Sequence, residues 1–178
     1  MSKTVIVTGA SRGIGRAISL YYAKKGFNVC VCCHKNADML DALKDEIENI
    51  GADCMTYVGN IGIFENAAEF FSLIKERFGK ADILINNAGI SYIGLLQDMT
   101  PSDWNDIVTS NLTSVFNCCK LAIPIMLGSH EGKIINISSV WGCVGASTEV
   151  AYSATKGGIN TFTKALAKEL APSNIHVN

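Results

Sequence analysis

Thr4-Val-Ile-Val-Thr8-Gly9-Ala10-Ser11-Arg12-Gly13-Ile14-Gly15 is a short apolar run that breaks into a turn studded with glycine. Thr4 to Thr8 reads as a buried strand. Gly13 to about Lys25 reads as a helix whose apolar residues are Ile14, Ala17, Ile18 and Tyr21. A strand that turns through glycines into a helix leaves backbone N–H groups and the positive helix end facing outward, which suits a pyrophosphate. Side chains in the turn would block its approach. Gly9, Gly13 and Gly15, with Ser11, Arg12 and Ile14 between them, are therefore the first candidate ligand-binding residues.

Working outward, strand and helix alternate. Strands are expected at Asn28 to Cys33, near Asp53 to Val58, at Asp82 to Asn86 and at Lys133 to Ser138, and Ile175 to Asn178 reads as the opening of a sixth. Helices are expected at Ala37 to Asn49, Glu65 to Phe78, Pro101 to Leu127 and from near Tyr152 to Leu170. The longest of these carries an apolar stripe of Trp104, Ile107, Val108, Leu112, Val115, Phe116 and Cys119. This order predicts an α/β, Rossmann-like doubly wound parallel sheet with helices on both faces. Right-handed crossovers bring the strand C-termini to one edge, where ligands bind. Asn60 and Ile61, and Asn86-Asn87-Ala88-Gly89, follow strands at that edge.

The end of the second strand bears on the ligand. About twenty residues past the glycine turn, an NAD site offers a carboxylate to the adenosine ribose. Cys33 stands there instead, followed by His34 and Lys35, with Arg12 in the glycine turn. Positive charge gathers where a ribose phosphate would lie, so NADP(H) is favoured, with NAD(H) as the other possibility.

The chain of 178 residues is 48% hydrophobic, enough for one core, and residues 1–178 are read as a single domain. Its net charge of −1 provides no attraction toward nucleic acid or an anionic membrane, and neither is expected as a partner. No signal-peptide pattern opens the chain and no apolar run is read as approaching a bilayer span, so a cytoplasmic location is expected. Seven cysteines without a Cys-x-x-Cys pair, and histidines scattered at 34, 130 and 176, read as buried thiols and no metal site.

The chemistry is concentrated in Tyr152-Ser-Ala-Thr-Lys156, read with Ser139. On a helix, Tyr152 and Lys156 stand one turn apart on one face, so a phenol and an ammonium can address one bound molecule. A free phenol has a pKa near ~10, and an adjacent cation favours its ionised form. Asn111 falls inside the long helix; a partly exposed surface position, a kink or a water-holding site are its possible readings.

Together, Thr8-Gly-x-x-x-Gly13-x-Gly15, Asn86-Asn-Ala-Gly89, Asn111, Ser139 and Tyr152-x-x-x-Lys156 resemble the motif set of the short-chain dehydrogenase/reductases, along the whole chain. Residues 132–139 and 162–171 are most similar to bacterial 3-oxoacyl-acyl-carrier-protein reductases. The resemblance implies that Tyr152 is the general acid or base, that Lys156 holds the nicotinamide ribose, that Ser139 hydrogen-bonds the reacting oxygen and that Asn111 holds a water. It implies cofactor contacts at the glycine turn, at Asn60 and Ile61, and at Asn87, Ala88 and Gly89, and pairing of subunits into a homodimer or homotetramer through the two long helices. The expected substrate is a small-molecule or carrier-bound ketone.

Several positions depart from the family pattern. Asn60 stands where the family usually has an aspartate that reads adenine. Leu127 to Glu131 and Ala171 to Asn174 lack the basic residues that would meet an acidic carrier protein. Glu149 lies three residues before Tyr152, and residues 141–150 also resemble reductases of a ketone attached to a lysine of elongation factor P. An amine-bearing ketone is therefore a second expectation, and a non-catalytic nucleotide-binding sensor a third. The family fold continues past Asn178, which suggests a fragment or a partly represented protein.

Overall fold

A computed structural model describes residues 2–178. Six strands, β1 (Thr4–Thr8), β2 (Asn28–Cys33), β3 (Cys54–Val58), β4 (Ile83–Asn86), β5 (Gly132–Asn136) and β6 (Ile175–Val177), form one sheet in the order β3-β2-β1-β4-β5-β6. Every pairing is parallel. The order reverses between β1 and β4, so a crevice opens beyond the carboxyl ends of those two strands.

Strand residues divide by the two-residue period of the pleat. Val5, Val7, Val29 and Val31 face α1 (Gly13–Lys24) and α2 (Ala37–Asn49), joined by Leu40, Leu43 and Ile47. Ile6, Cys30 and Cys32 face the other way, into a core with Phe70 and Ile74 of α3 (Phe64–Phe78) and Ile134 of β5. Six of the seven cysteines are buried free thiols that act as small apolar side chains; Cys143 is exposed, against expectation.

The face by which α1 packs is not the one its apolar residues suggest. Its buried residues are Gly15, Ser19 and Ala23, while Ile14 is 62% and Tyr21 57% exposed. Small residues let the helix approach the sheet closely, and the Ser19 hydroxyl is satisfied by donating to Gly15 O at 2.8 Å. Ala17, Ile18, Tyr21 and Tyr22 instead border an apolar groove of about 400 Å³ with Ile85, Ile135 and Ile137.

The long helix is also not continuous. α4 (Pro101–Val108) starts in a capping box, with Thr100 Oγ1 accepting from Asp103 N and Asp103 Oδ2 accepting from Thr100 N. It passes into a π-helical turn at Thr109–Thr113 before α5 (Ser114–Ser129). Trp104 and Phe116, placed in the predicted stripe, are exposed. The run Pro101–Ser129 is long and apolar enough to cross a bilayer by length and composition, contrary to the sequence reading. Here its Val115, Cys118, Ala122 and Met126 pack into the core beside β4 and α3. A short α6 (Trp141–Val144) was not foreseen, and α7 (Val150–Leu170) begins two residues before Tyr152.

If small residues set the α1 contact, Ser19→Leu overpacks it and costs ~1–3 kcal/mol. Tyr21→Ala at the exposed position changes stability by no more than about 0.5 kcal/mol. Urea unfolding of the two variants checks this; a greater loss from Tyr21→Ala would refute the packing.

Candidate active site

The carboxyl ends of β1 to β4 border a cleft of about 790 Å³. Its floor is made where β1 and β4 end side by side. Thr8 Oγ1 accepts hydrogen bonds from Asn87 N and Ala88 N, both at 3.0 Å, and Asn87 Nδ2 donates to Thr8 O and Gly9 O, both at 3.0 Å. The first Asn of that run, Asn86, is buried in a polar chain of its own. Its Nδ2 donates to Asn136 Oδ1 at 2.8 Å, and Asn136 Nδ2 donates to Thr163 Oγ1 at 2.9 Å, which leaves Asn86 Oδ1 without a partner.

The three glycines divide the work differently from a simple phosphate cradle. A Cβ at Gly9 would lie 2.7 Å from Ala88 Cα, and one at Gly15 would lie 2.5 Å from Asn87 Nδ2 and from Gly9 O. These two let the lacing form. Gly13, with φ +58°, has nothing within 4 Å of its Cβ position and leaves the start of α1 open to a ligand. Arg12, His34 and Lys35 are exposed along the same cleft. An open helix N-terminus with three bases beside it fits the diphosphate and ribose phosphate of a dinucleotide.

On the far side, the turn after β3 is held in place by Asn117, whose Nδ2 donates to Ile61 O at 3.0 Å and Gly62 O at 3.1 Å. Asn60 Oδ1 accepts from Gly62 N at 3.0 Å. Asn60 and Ile61 both line the cleft, as do Asn87, Ala88 and Gly89.

Asn111, Ser139, Tyr152 and Lys156 are not on the lining of that cleft; Asn111 and Lys156 meet at its Gly89 end. A Cβ at Gly89 would lie 3.2 Å from Asn111 Oδ1 and 3.7 Å from Lys156 Nζ. Asn111 is fully buried in the π-helical turn, not at the surface. Its Oδ1 accepts from Ile90 N at 2.8 Å, and its Nδ2 donates to Ile90 O at 2.8 Å and to Thr155 Oγ1 at 3.2 Å. Thr155 in turn donates to Tyr152 O at 2.8 Å.

Lys156 is only 4% exposed. Its Nζ donates to Ile137 O at 2.7 Å and lies 5.6 Å from the centroid of the Tyr152 ring. Burial pushes its ammonium below the ordinary lysine value. The loop bearing Ser139 is clamped to the same helix. Ser138 Oγ donates to Lys156 O at 3.1 Å, and a Cβ at Gly142 would meet Lys156 C at 2.6 Å. Ser139 Oγ accepts from Trp141 N at 3.2 Å, an interaction within its own loop and not with Tyr152.

Some contributors escaped the sequence reading. Thr8 was read only as the first position of the glycine motif and not as the anchor of the cleft floor, and Asp106, Thr109 and Ser110 line the cleft from α4 and the π turn. Glu149, at the N-terminus of α7, accepts a hydrogen bond from Ser91 Oγ, and Gly94 N donates to Thr148 O at 2.9 Å, which joins the loop after β4 to the start of α7. Among the described residues there is no cluster of His, Cys, Asp and Glu that could hold a metal ion.

Comparison with known proteins agrees with this architecture. The family model described as short chain dehydrogenase matches residues 3–178. The 3-oxoacyl-acyl-carrier-protein reductase FabG of Staphylococcus aureus strain Mu50 is 43% identical over 181 residues, an alignment that takes in 100% of this chain and 72% of the relative. A 3-oxoacyl-acyl-carrier-protein reductase of Synechocystis is 41% identical over 180 residues, covering 99% of this chain and 72% of the relative. The crystal structure of a putative short-chain alcohol dehydrogenase from Sinorhizobium meliloti 1021 superposes with a TM-score of 0.94 at 35% identity, covering 100% of this chain and 71% of that one. The chain therefore belongs to the short-chain dehydrogenase family and is an NAD(P)-dependent oxidoreductase acting on CH–OH and C=O groups.

Proposed function

We propose that this protein reduces a ketone to a secondary alcohol with NADPH, on a substrate of the 3-oxoacyl-acyl-carrier-protein type. The observation that carries the reading is the meeting of Asn111 and Lys156 at Gly89, where the nucleotide cleft ends, with Tyr152 one helical turn away. The bound dihydronicotinamide supplies the hydride. The protein's own residues orient the ketone and manage the proton. The Tyr152 hydroxyl donates a hydrogen bond to the carbonyl oxygen and passes its proton to it as charge develops there, and the Ser139 hydroxyl donates a second hydrogen bond to that oxygen. Lys156, anchored on Ile137 O, holds the ribose hydroxyls and returns a proton toward Tyr152. Asn111 fixes the Ile90 backbone and supports a water route from Lys156 to solvent.

NADP(H) is preferred over NAD(H) because Arg12, His34 and Lys35 surround the ribose end of the cleft with no carboxylate at Cys33. Trp104 and Phe116, exposed on α4 and α5, support subunit pairing into a homodimer or homotetramer. A single domain over 1–178, working in the cytoplasm, is consistent with these features.

A second reading, a ketone that carries an amine, is favoured by Glu149. Glu149 lies one turn before Tyr152 and its carboxylate has Ser91 as partner, while the ion pairs among the described residues all lie elsewhere. A carboxylate beside a reacting carbonyl favours a substrate that brings a cation.

Three outcomes test these statements. Tyr152→Phe lowers kcat for ketone reduction by ~10²–10⁴-fold while leaving NADPH binding nearly intact; normal turnover would overturn the role of Tyr152 as the proton donor. Glu149→Gln lowers kcat/KM for amine-bearing ketones relative to neutral ones about tenfold or more if the second reading holds, and an unchanged ratio rejects it. Lys156 gives a pH signature. Its folded-state pKa is depressed from 10.5, so as pH falls from alkaline the unfolded chain takes up the proton first and wild type loses stability. Compared with Lys156→Met, wild type therefore weakens as pH drops from 10.5 to the depressed pKa and runs parallel below it. Urea midpoints across alkaline pH measure this difference; parallel curves throughout would refute it.

A further inference from the structure

Asp106 is the one acid on the lining of the cleft, which otherwise carries Arg12, His34 and Lys35. An anion in a phosphate-binding cleft opposes binding unless it faces a part of the ligand that donates hydrogen bonds. Its position identifies that part. Asp106, Thr109 and Ser110 all line the cleft, so one face of α4 and the π turn forms a wall. That wall abuts the turn after β3, because a Cβ at Gly62 would lie 2.5 Å from Thr109 O. Asp106 therefore borders the end of the cleft where Asn60 and Ile61 stand.

Acceptors on the opposing turn each already hold at least one donor. Asn60 Oδ1 takes Gly62 N, Asn60 O takes Ile63 N and Asn66 Nδ2, and Ile61 O and Gly62 O take Asn117 Nδ2. What Asn60 has left is its side-chain amide, a donor. An adenine edge, however, presents both a ring-nitrogen acceptor and an exocyclic amine that donates. The turn has a free donor for the first, whereas these acceptors of its own each already hold a partner, so Asp106 is the acidic acceptor on the lining, with none among the described residues.

We propose that Asp106 accepts a hydrogen bond from the exocyclic amine of adenine, while Asn60 Nδ2 donates to a ring nitrogen from the other wall. The assignment rests on the dinucleotide reading of the cleft given above. Base recognition is thus divided between a helix and a turn, and the acid that reads the amine comes from α4.

The test uses the hypoxanthine analogue of NADPH, whose carbonyl oxygen and ring N–H reverse the donor and acceptor pattern of adenine. Dissociation constants of both nucleotides are measured by dihydronicotinamide fluorescence for wild type, Asp106→Ala and Asp106→Asn, with thermal unfolding to check that each is folded. Wild type should bind NADPH about tenfold or more tightly than the analogue. Asp106→Ala should lower the ratio severalfold, leaving the part that Asn60 contributes, and Asp106→Asn, whose amide donates, should shift it further toward the analogue. A ratio unchanged in both variants, with NADPH still bound, overturns the role of Asp106 and leaves the cleft as a cofactor site. Failure of wild type to bind either nucleotide overturns the dinucleotide reading and this assignment with it.

Discussion

Where β1 and β4 end side by side, the Thr8 hydroxyl takes two backbone N–H groups and the Asn87 amide returns two bonds to the chain on either side of Gly9. The residues joined are 78 to 80 positions apart in sequence. This lacing sits at the point where the order of the sheet reverses, and it sets how closely the glycine turn approaches the run from Asn87 to Gly89. Side chains at Gly9 or Gly15 would enter the space that it occupies. The floor of the cleft, the opening at Gly13 and the placement of Gly89 against Lys156 all follow from that one close contact.

The candidate catalytic end is organised by buried polar groups, each with a partner. Asn111 makes three hydrogen bonds in the interior and Lys156 keeps its ammonium on a backbone carbonyl. Leaving any of these groups buried and unpaired would cost about 1–3 kcal/mol, and more for the charged one. The network therefore specifies one arrangement of α7 against the loop after β4. It also extends through Thr155 to the backbone carbonyl of Tyr152.

Much of the fold was legible because its signals are local. Alternating strand and helix patterns, a glycine turn between them and small residues after β4 are each contained within a few positions, and the parallel sheet follows from their order. The inner face of α1 was not legible, because periodicity marks where apolar residues fall and the contact is made by Gly15, Ser19 and Ala23. Asn111 could be located but not its burial, since an i to i+5 turn leaves no trace in a 3.6-residue pattern. Spacing singled out Tyr152 and Lys156, the family resemblance added Asn111 and Ser139 to the candidate catalytic set, and the structure brings Asn111 and Lys156 together at Gly89 with Tyr152 a turn away. Thr8 and Asp106 were missed because their neighbours come from distant parts of the chain.

The π-helical turn at Thr109–Thr113 inserts one residue into what would otherwise be a straight rod. A single added residue rotates everything beyond it by roughly 100° about the axis. The two halves of the helix are thereby released from a common phase: α4 can turn Asp106 toward the cleft while α5 turns Cys118 and Ala122 into the core. Deleting that surplus residue from this protein would turn α5 relative to α4 by the same angle, so either the wall or the seat in the core would have to be rebuilt.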